Sequence, residues 1–216
     1  MKMASLIFSV GLWGLAALSL AAQTAVRPVP PIPPLAAPDP TTPAPSSFHD
    51  TRYGVGFQSP AGWMLTRRDA EVSTFVNDAH PLSSSTRMRA VATIAFNPHP
   101  TSTFSGALFY FSVTPRSNEH DCSQQASDTA SHIIAPRQIG GVIFTRGYDE
   151  HGKICTEARD EIYTALRSNT CYRFDLVINT FCGGDVSGVR EISQQELDDV
   201  RHRLDSILST VHFDAK

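Results

Sequence analysis

No basic run longer than Arg67-Arg68 occurs in this 216-residue chain, and 18 Lys+Arg stand against 21 Asp+Glu, a formal net charge of −3. A nucleic-acid partner or an anionic membrane would call for a clustered basic patch, so composition argues against both. The chain also has no Gly-x-Ser-x-Gly elbow, no phosphate-binding P-loop, no His-Glu-x-x-His pair and no dinucleotide fingerprint. No motif therefore names a reaction or a cofactor. Neither Cys-x-x-Cys nor His-x-x-x-His spacing is present, which leaves zinc as the weaker reading of the four cysteines. Charged residues make up 18% and hydrophobic ones 41%, the balance of an ordinary globular domain. A domain of roughly 150 residues buries about 70% of its unfolded surface, so a core of this size needs no metal or cofactor to hold it.

Residues 1–25 read as a secretory signal peptide. Lys2 supplies the positive end, Leu6 to Leu20 the apolar run, and Ser19-Leu20-Ala21 or the next few residues a small-residue cleavage site. Ala4 to Ala22 is near the spanning length, so a retained anchor is the competing reading. Three serines and two glycines dilute that stretch. No cysteine lies near the cleavage region, so lipid attachment has no acceptor there. Residues 26–47 hold nine of the fifteen prolines, which rules out helix or central strand and predicts an extended spacer. Such a segment is either a tether for an exported domain or a ligand for a proline-reading module.

The folded domain is placed at residues 48–216. In YGVGFQSPAGWML (Tyr53 to Leu65), Tyr53, Val55 and Phe57 share one face at period two. Ser59-Pro60-Ala61-Gly62 makes a turn, and Trp63 follows as an apolar anchor. Further strands are predicted over Val72–Val76, Met88–Phe96, Ala107–Val113, Val142–Tyr148, Arg159–Arg167 and Thr170–Phe181. The last three form an antiparallel meander. One helix is expected over Asn118–Ile134. A second opens on Ser193-Gln-Gln-Glu196, a capping box flanked by Ile192 and Leu197 at the staple positions. From there Leu197, Val200, Leu204, Ile207, Leu208 and Val211 recur at helical spacing as a single apolar stripe. The fold class is thus α+β, an antiparallel sheet with flanking helices.

The YGVGFQSPAGW opening and the Leu204-Asp-Ser-Ile-Leu-Ser-Thr-Val-His-Phe213 ending resemble the Mog1/PsbP-like family, over about Phe48 to Phe213. The resemblance implies an antiparallel sheet sandwiched between helices, an α/β/α sandwich. It implies fold more than function, because members are largely non-catalytic binding or assembly factors. Nothing in the sequence points to the thylakoid role of the photosystem member, and a leader does not suit the nuclear GTPase partner.

Four cysteines in an exported chain predict two disulfides. Were Thr170–Phe181 one strand, Cys171 and Cys182 would lie roughly 36 Å apart at ~3.3 Å per residue, beyond bridging range. A two-residue turn at Ser168-Asn169 sets Arg167 opposite Thr170, and counting outward sets Cys155 opposite Cys182. The expected bonds are therefore Cys155–Cys182 and Cys122–Cys171.

Consecutive His120-Asp121-Cys122 point about 100° apart on a helix and share no site, so Asp121 or Glu119 is expected to serve the helix N-terminus. His99, His151 and His202 read as solvated surface histidines, Gly140-Gly141 and Gly183-Gly184-Asp185 as turns, and Thr156, Glu157, Arg159 and Asp160 as a solvated strand end. No catalytic, cofactor or metal residue is assigned. The leading expectation is a secreted or periplasmic, non-catalytic binding or envelope-associated module. Its partner would be an unknown protein or small molecule, met at the loops Asn77–Arg87 and Asn97–Ser105. Contact with the membrane would come only through an uncleaved leader. The alternatives are a small hydrolase with a Ser/His/Asp site assembled in space, marked by a serine hydroxyl on a carboxylate-held histidine, and an inhibitor or immunity-type factor.

Overall fold

A computed structural model of the chain describes residues 44–67, 88–127, 132–153, 155–183 and 188–215. The leader, most of the proline-rich segment, the Val72–Val76 strand and the Asn77–Arg87 loop lie outside the described residues. In chain order the elements are β1 (Ser46–Asp50), β2 (Val55–Ser59), β3 (Met64–Arg67), β4 (Arg89–Phe96), β5 (Phe104–Pro115), α1 (Glu119–Ser127), β6 (His132–Ile139), β7 (Val142–Lys153), β8 (Thr156–Arg167), β9 (Thr170–Phe181), α2 (Gln194–Ser209) and β10 (His212–Phe213).

Seven antiparallel strands form the main sheet in the order β3-β4-β5-β9-β8-β7-β6. The meander β7-β8-β9 runs through it, and β9 spans the residues that the pattern predicted. Ser168 and Asn169 both take positive φ, 45° and 58°, the signature of a two-residue hairpin turn whose twist matches its strands. That turn sets Arg167 opposite Thr170 and carries the register to Thr156 opposite Phe181.

The fold is α+β, with one sheet between two unlike layers. On β9 the even residues Tyr172, Phe174, Leu176 and Ile178 join the apolar core with Phe109, Phe111, Tyr163 and the α2 stripe. The odd residues face α1: Cys171 is bonded to Cys122, and Arg173 Nη1 donates to the Gln125 carbonyl at 3.3 Å.

The opening strand belongs to a separate three-stranded sheet, β1-β2-β10, which shares the apolar layer with α2. Phe48 and Phe57 stack at 4.6 Å, and Phe57 meets Phe109 edge-on at 5.2 Å. β1 also begins at Ser46, two residues inside the predicted linker, because backbone pairing with β2 (Ser46 opposite Ser59) extends past the apolar residues that marked the domain's start. Trp63 lies flat on Phe96.

α1 is described over Glu119–Ser127, and the helix does not reach the predicted Ile134. His132–Ile139 is instead the edge strand β6, paired with β7 across Gly140-Gly141. Its register shifts between Ile134 and Arg137, around Pro136, which has no N–H to give a ladder and is tolerated at an edge. Gly140 takes φ 54°, and a Cβ there would stand 2.9 Å from both the Val211 carbonyl oxygen and the Phe213 ring, so the hairpin tip can seat against the chain's last strand only without a side chain. Asn118 Oδ1 accepts from the Asp121 amide at 2.9 Å and its Nδ2 donates to Asp121 Oδ2 at 2.8 Å, so Asn118 supplies the cap of α1 and Asp121 holds its side chain.

α2 starts as its capping box requires. Ser193 Oγ accepts from the Glu196 amide, and the Ser193 amide donates to the Glu196 carboxylate at 3.0 Å. Leu197, Val200, Leu204, Ile207 and Leu208 are all buried, each contributing on the order of 1.5–3 kcal/mol of transfer free energy.

Candidate functional site

The apolar layer does not cover the whole sheet. α2 and the small sheet lie over β5 and β9, and beyond α2 the β6-β7-β8 wing carries charge on the same face. The parity of β8 shows the change: Ala165 and Tyr163 are in the core, and Glu161, Arg159 and Glu157 continue their side of the strand. Two clefts open along this border.

The first, of ≈ 320 Å³, lies at the strand ends and is lined by Thr103, Cys155, Glu157, Arg159, Cys182 and Glu191 with Leu197 of α2. Arg159 Nε donates to Glu150 at 2.9 Å and Nη2 to Glu157 at 3.1 Å. The Glu150 carboxyl is held below its ordinary range by hydrogen bonds, first with Glu157 and then with Arg159. Thr103 ties the Asn97–Ser105 loop to this rim: its amide donates to the Arg190 carbonyl at 2.8 Å and its carbonyl accepts from Phe181 at 2.9 Å. One of the two loops expected to make contacts therefore supplies a wall of the cleft. The other lies outside the described residues.

The second cleft, of ≈ 290 Å³, is lined by Arg137, Arg146, Glu161 and, from α2, Arg201, His202 and Asp205. Glu161 is its centre. It accepts from Arg146 Nη2 at 2.8 Å and from the Tyr163 hydroxyl at 2.8 Å, with Arg201 Nε at 3.5 Å. Burial, then Glu161, pushes the Tyr163 phenol well above its ordinary value, so it stays a donor. Arg137 is paired with Asp205, chiefly through that hydrogen bond, which raises its already high pKa further. Guanidinium and carboxylate alternate along both clefts, and each guanidinium is held by a strand, a helix partner or a ring face.

The sheet's other face holds a different cluster. Asp160, Arg173 and Asp175 are fully buried, and Arg173 Nη2 meets Asp175 Oδ1 at 2.5 Å. Asp160 was expected on a solvated strand end and is not there: β8 lies inside the sheet and α1 covers this side. No donor among the described residues reaches either Asp160 oxygen, which an ionised carboxylate could not sustain. Burial, then the Asp175 charge, drives the Asp160 carboxyl well above the ordinary aspartate range. As the neutral acid it has a proton to direct at Asp175, and the trio carries no net charge.

Cys122 and Cys171 form a disulfide. Cys155 and Cys182 are not bonded to each other here, although the Cys182 amide donates to the Cys155 carbonyl at 3.3 Å. His99 is not a solvated histidine: its ring is largely covered, with Nδ1 3.4 Å from Glu196 Oε1 and its edge on Phe104. His202 lines the second cleft, and the His151 side chain lies outside the described ones. His49 pairs with Asp214 at 3.1 Å, but among the described residues no serine hydroxyl reaches the ring of His49 or His99, so neither begins a Ser/His/Asp relay.

The charged clefts were missed from sequence. Their signal was the charge at Glu157, Arg159 and Glu161, in phase with the core residues Tyr163 and Ala165, where a merely solvated strand end has no reason to keep phase.

No family model and no curated protein matches the chain. Among solved structures it is similar to the solution structure of cyanobacterial PsbP (CyanoP) from Synechocystis sp. PCC 6803, with a TM-score of 0.46 and 12% identity, over 84% of this chain and 99% of that one. It is also similar to the crystal structure of LpqN, involved in cell envelope biogenesis, of Mycobacterium tuberculosis, with a TM-score of 0.42 and 9% identity, over 80% of this chain and 91% of that one.

Proposed function

We propose that the chain is an extracytoplasmic, non-catalytic binding module, carried on its proline-rich segment, whose ligand lies along the charged border of α2. The observation that carries this reading is the run of paired guanidinium and carboxylate groups from Arg159–Glu157 to Arg146–Glu161–Arg201, open to solvent in two clefts on a rigid sheet. Groups already paired in the free protein suit a partner that presents both signs of charge, since covering them with such a partner leaves no charge of either sign buried and unpaired. Placement outside the cytoplasm is supported by the leader-like first 25 residues together with the buried Cys122–Cys171 bond, which persists in oxidising compartments.

The test is affinity capture from envelope extract with residues 26–216 as bait, run beside Arg159→Glu and Arg201→Glu. A partner held by the parent chain and lost from both variants, with their denaturation midpoints kept, supports the reading. A partner held equally by all three removes the clefts from it.

A further inference from the structure

β9 carries its covalent cross-link at one end. At its start, Cys171 is bonded to Cys122 of α1, and both residues are buried. At its far end the ladder runs out with Phe181 opposite Thr156. The next residues outward are Cys182 and Cys155, whose main chains remain joined by the 3.3 Å hydrogen bond. Directly opposed residues of an antiparallel pair have Cα atoms about 4.5–5.5 Å apart, inside the roughly 4.4–6.8 Å that a disulfide spans. Cys155 is the last residue of the β7–β8 turn, with φ 61°, so the bond would close between a hairpin tip and the end of β9, one step beyond the paired residues. Unlike the buried pair, this one is open to reagent: Cys182 is exposed, Cys155 is half-buried, and both line the strand-end cleft.

We propose that Cys155 and Cys182 are a redox modification site, an accessible dithiol–disulfide couple that links the β7–β8 turn to the far end of β9. The oxidant is a disulfide donor, either oxidised glutathione or an exchange protein with a reactive disulfide. The Cys182 thiol loses its proton, and the thiolate attacks the donor disulfide and expels one donor thiolate. The Cys155 thiolate then attacks the Cys182 sulfur of the mixed disulfide and releases the second. Two cysteines lose two electrons to one donor disulfide, and their two protons pass to the two departing thiolates. Accessible bonds equilibrate with such donors more readily than buried ones. The inference rests on strand register and exposure, so it stands or falls separately from the binding reading.

The experiment equilibrates folded residues 26–216 in glutathione buffers from fully reducing to fully oxidising, followed by acid quench, alkylation and peptide mapping without reductant. The expected result is a Cys155–Cys182 linked peptide in oxidising buffer that is lost in buffers at least tenfold less reducing than those that open Cys122–Cys171. Cys182→Ser, a change at an exposed position, should give no Cys155–Cys182 peptide in any buffer, with Cys155 alkylated under reducing conditions and carried as its glutathione mixed disulfide under oxidising ones, and should leave the buffer at which Cys122–Cys171 opens unchanged. Separate alkylation of Cys155 and Cys182 in the most oxidising buffer would overturn the proposal. So would disulfides of Cys182 found only between two chains, or both intrachain bonds opening together.

Discussion

The two faces of the seven-stranded sheet are built differently: one is an aromatic core, and the other sets buried charge among apolar residues such as Ile162 and Val177. Toward α2 the contacts are aromatic: Phe174 lies 5.1 Å from Phe111 and 5.7 Å from both Phe109 and Phe144. Toward α1 the same strand offers Arg173 and Asp175, with Asp160, Thr164 and Ser112 buried beside them. The first face gains free energy with every apolar side chain removed from water. The second spends desolvation energy that its ion pair and hydrogen bonds recover only in part. Burial alone therefore does not say which face holds the domain together.

The largest effect should come from the aromatic face. Phe174→Ala is expected to cost about 3–5 kcal/mol, from lost transfer energy plus an incompletely collapsed cavity, read as a fall in the urea midpoint at unchanged slope. Asp175→Ala should cost about 3 kcal/mol by removing the ionised partner of the buried Arg173 charge; a loss under about 1 kcal/mol would mean that water, or Asp160 ionised in its place, takes over the guanidinium.

Asp160 gives a subtler contrast. Its folded pKa is raised above the ordinary value of 3.8, so the native state binds its proton more tightly than the unfolded chain does. The stability this adds is fully present below about pH 4 and is lost as pH rises through the folded pKa. Asp160→Asn, neutral throughout, should lack that downward slope above pH 4, as measured by urea midpoints across a pH series. Parallel curves for the two proteins would show that native Asp160 is ionised after all. The smallest change is Ser193→Ala, which removes the cap of α2 and should cost about 1 kcal/mol, seen as a lowered melting temperature with the fold intact.

Much of the aromatic face could be read in advance because it obeys local rules. The α2 stripe keeps helical spacing, its capping box has the required residues, and Thr170–Phe181 alternates through its full length. The Ser168-Asn169 turn was enough to fix the β8–β9 register, and with it the approach of Cys155 to Cys182. The α1 face was not legible. Alternation tells that Asp160, Arg173 and Asp175 share a side of the sheet, but whether that side meets water depends on α1, which is distant in sequence and low in apolar residues. β6 was hidden for a related reason: Ile133 and Ile134 suit helix or strand, and the hairpin partner across Gly140-Gly141 decides between them. The charged border of α2 lay between these cases, in phase with the core yet polar.

β1 and β10 flank β2 in the small sheet, with Ser46 opposite Ser59 at one end and Phe213 opposite Val55 at the other. Asp214 extends the join, its amide donating to the Gly54 carbonyl at 2.9 Å. A pull that drew Ser46 and Phe213 apart would run along these strands and load their hydrogen bonds in shear, together rather than one after another. The main sheet would feel no tension until that small clasp had slipped.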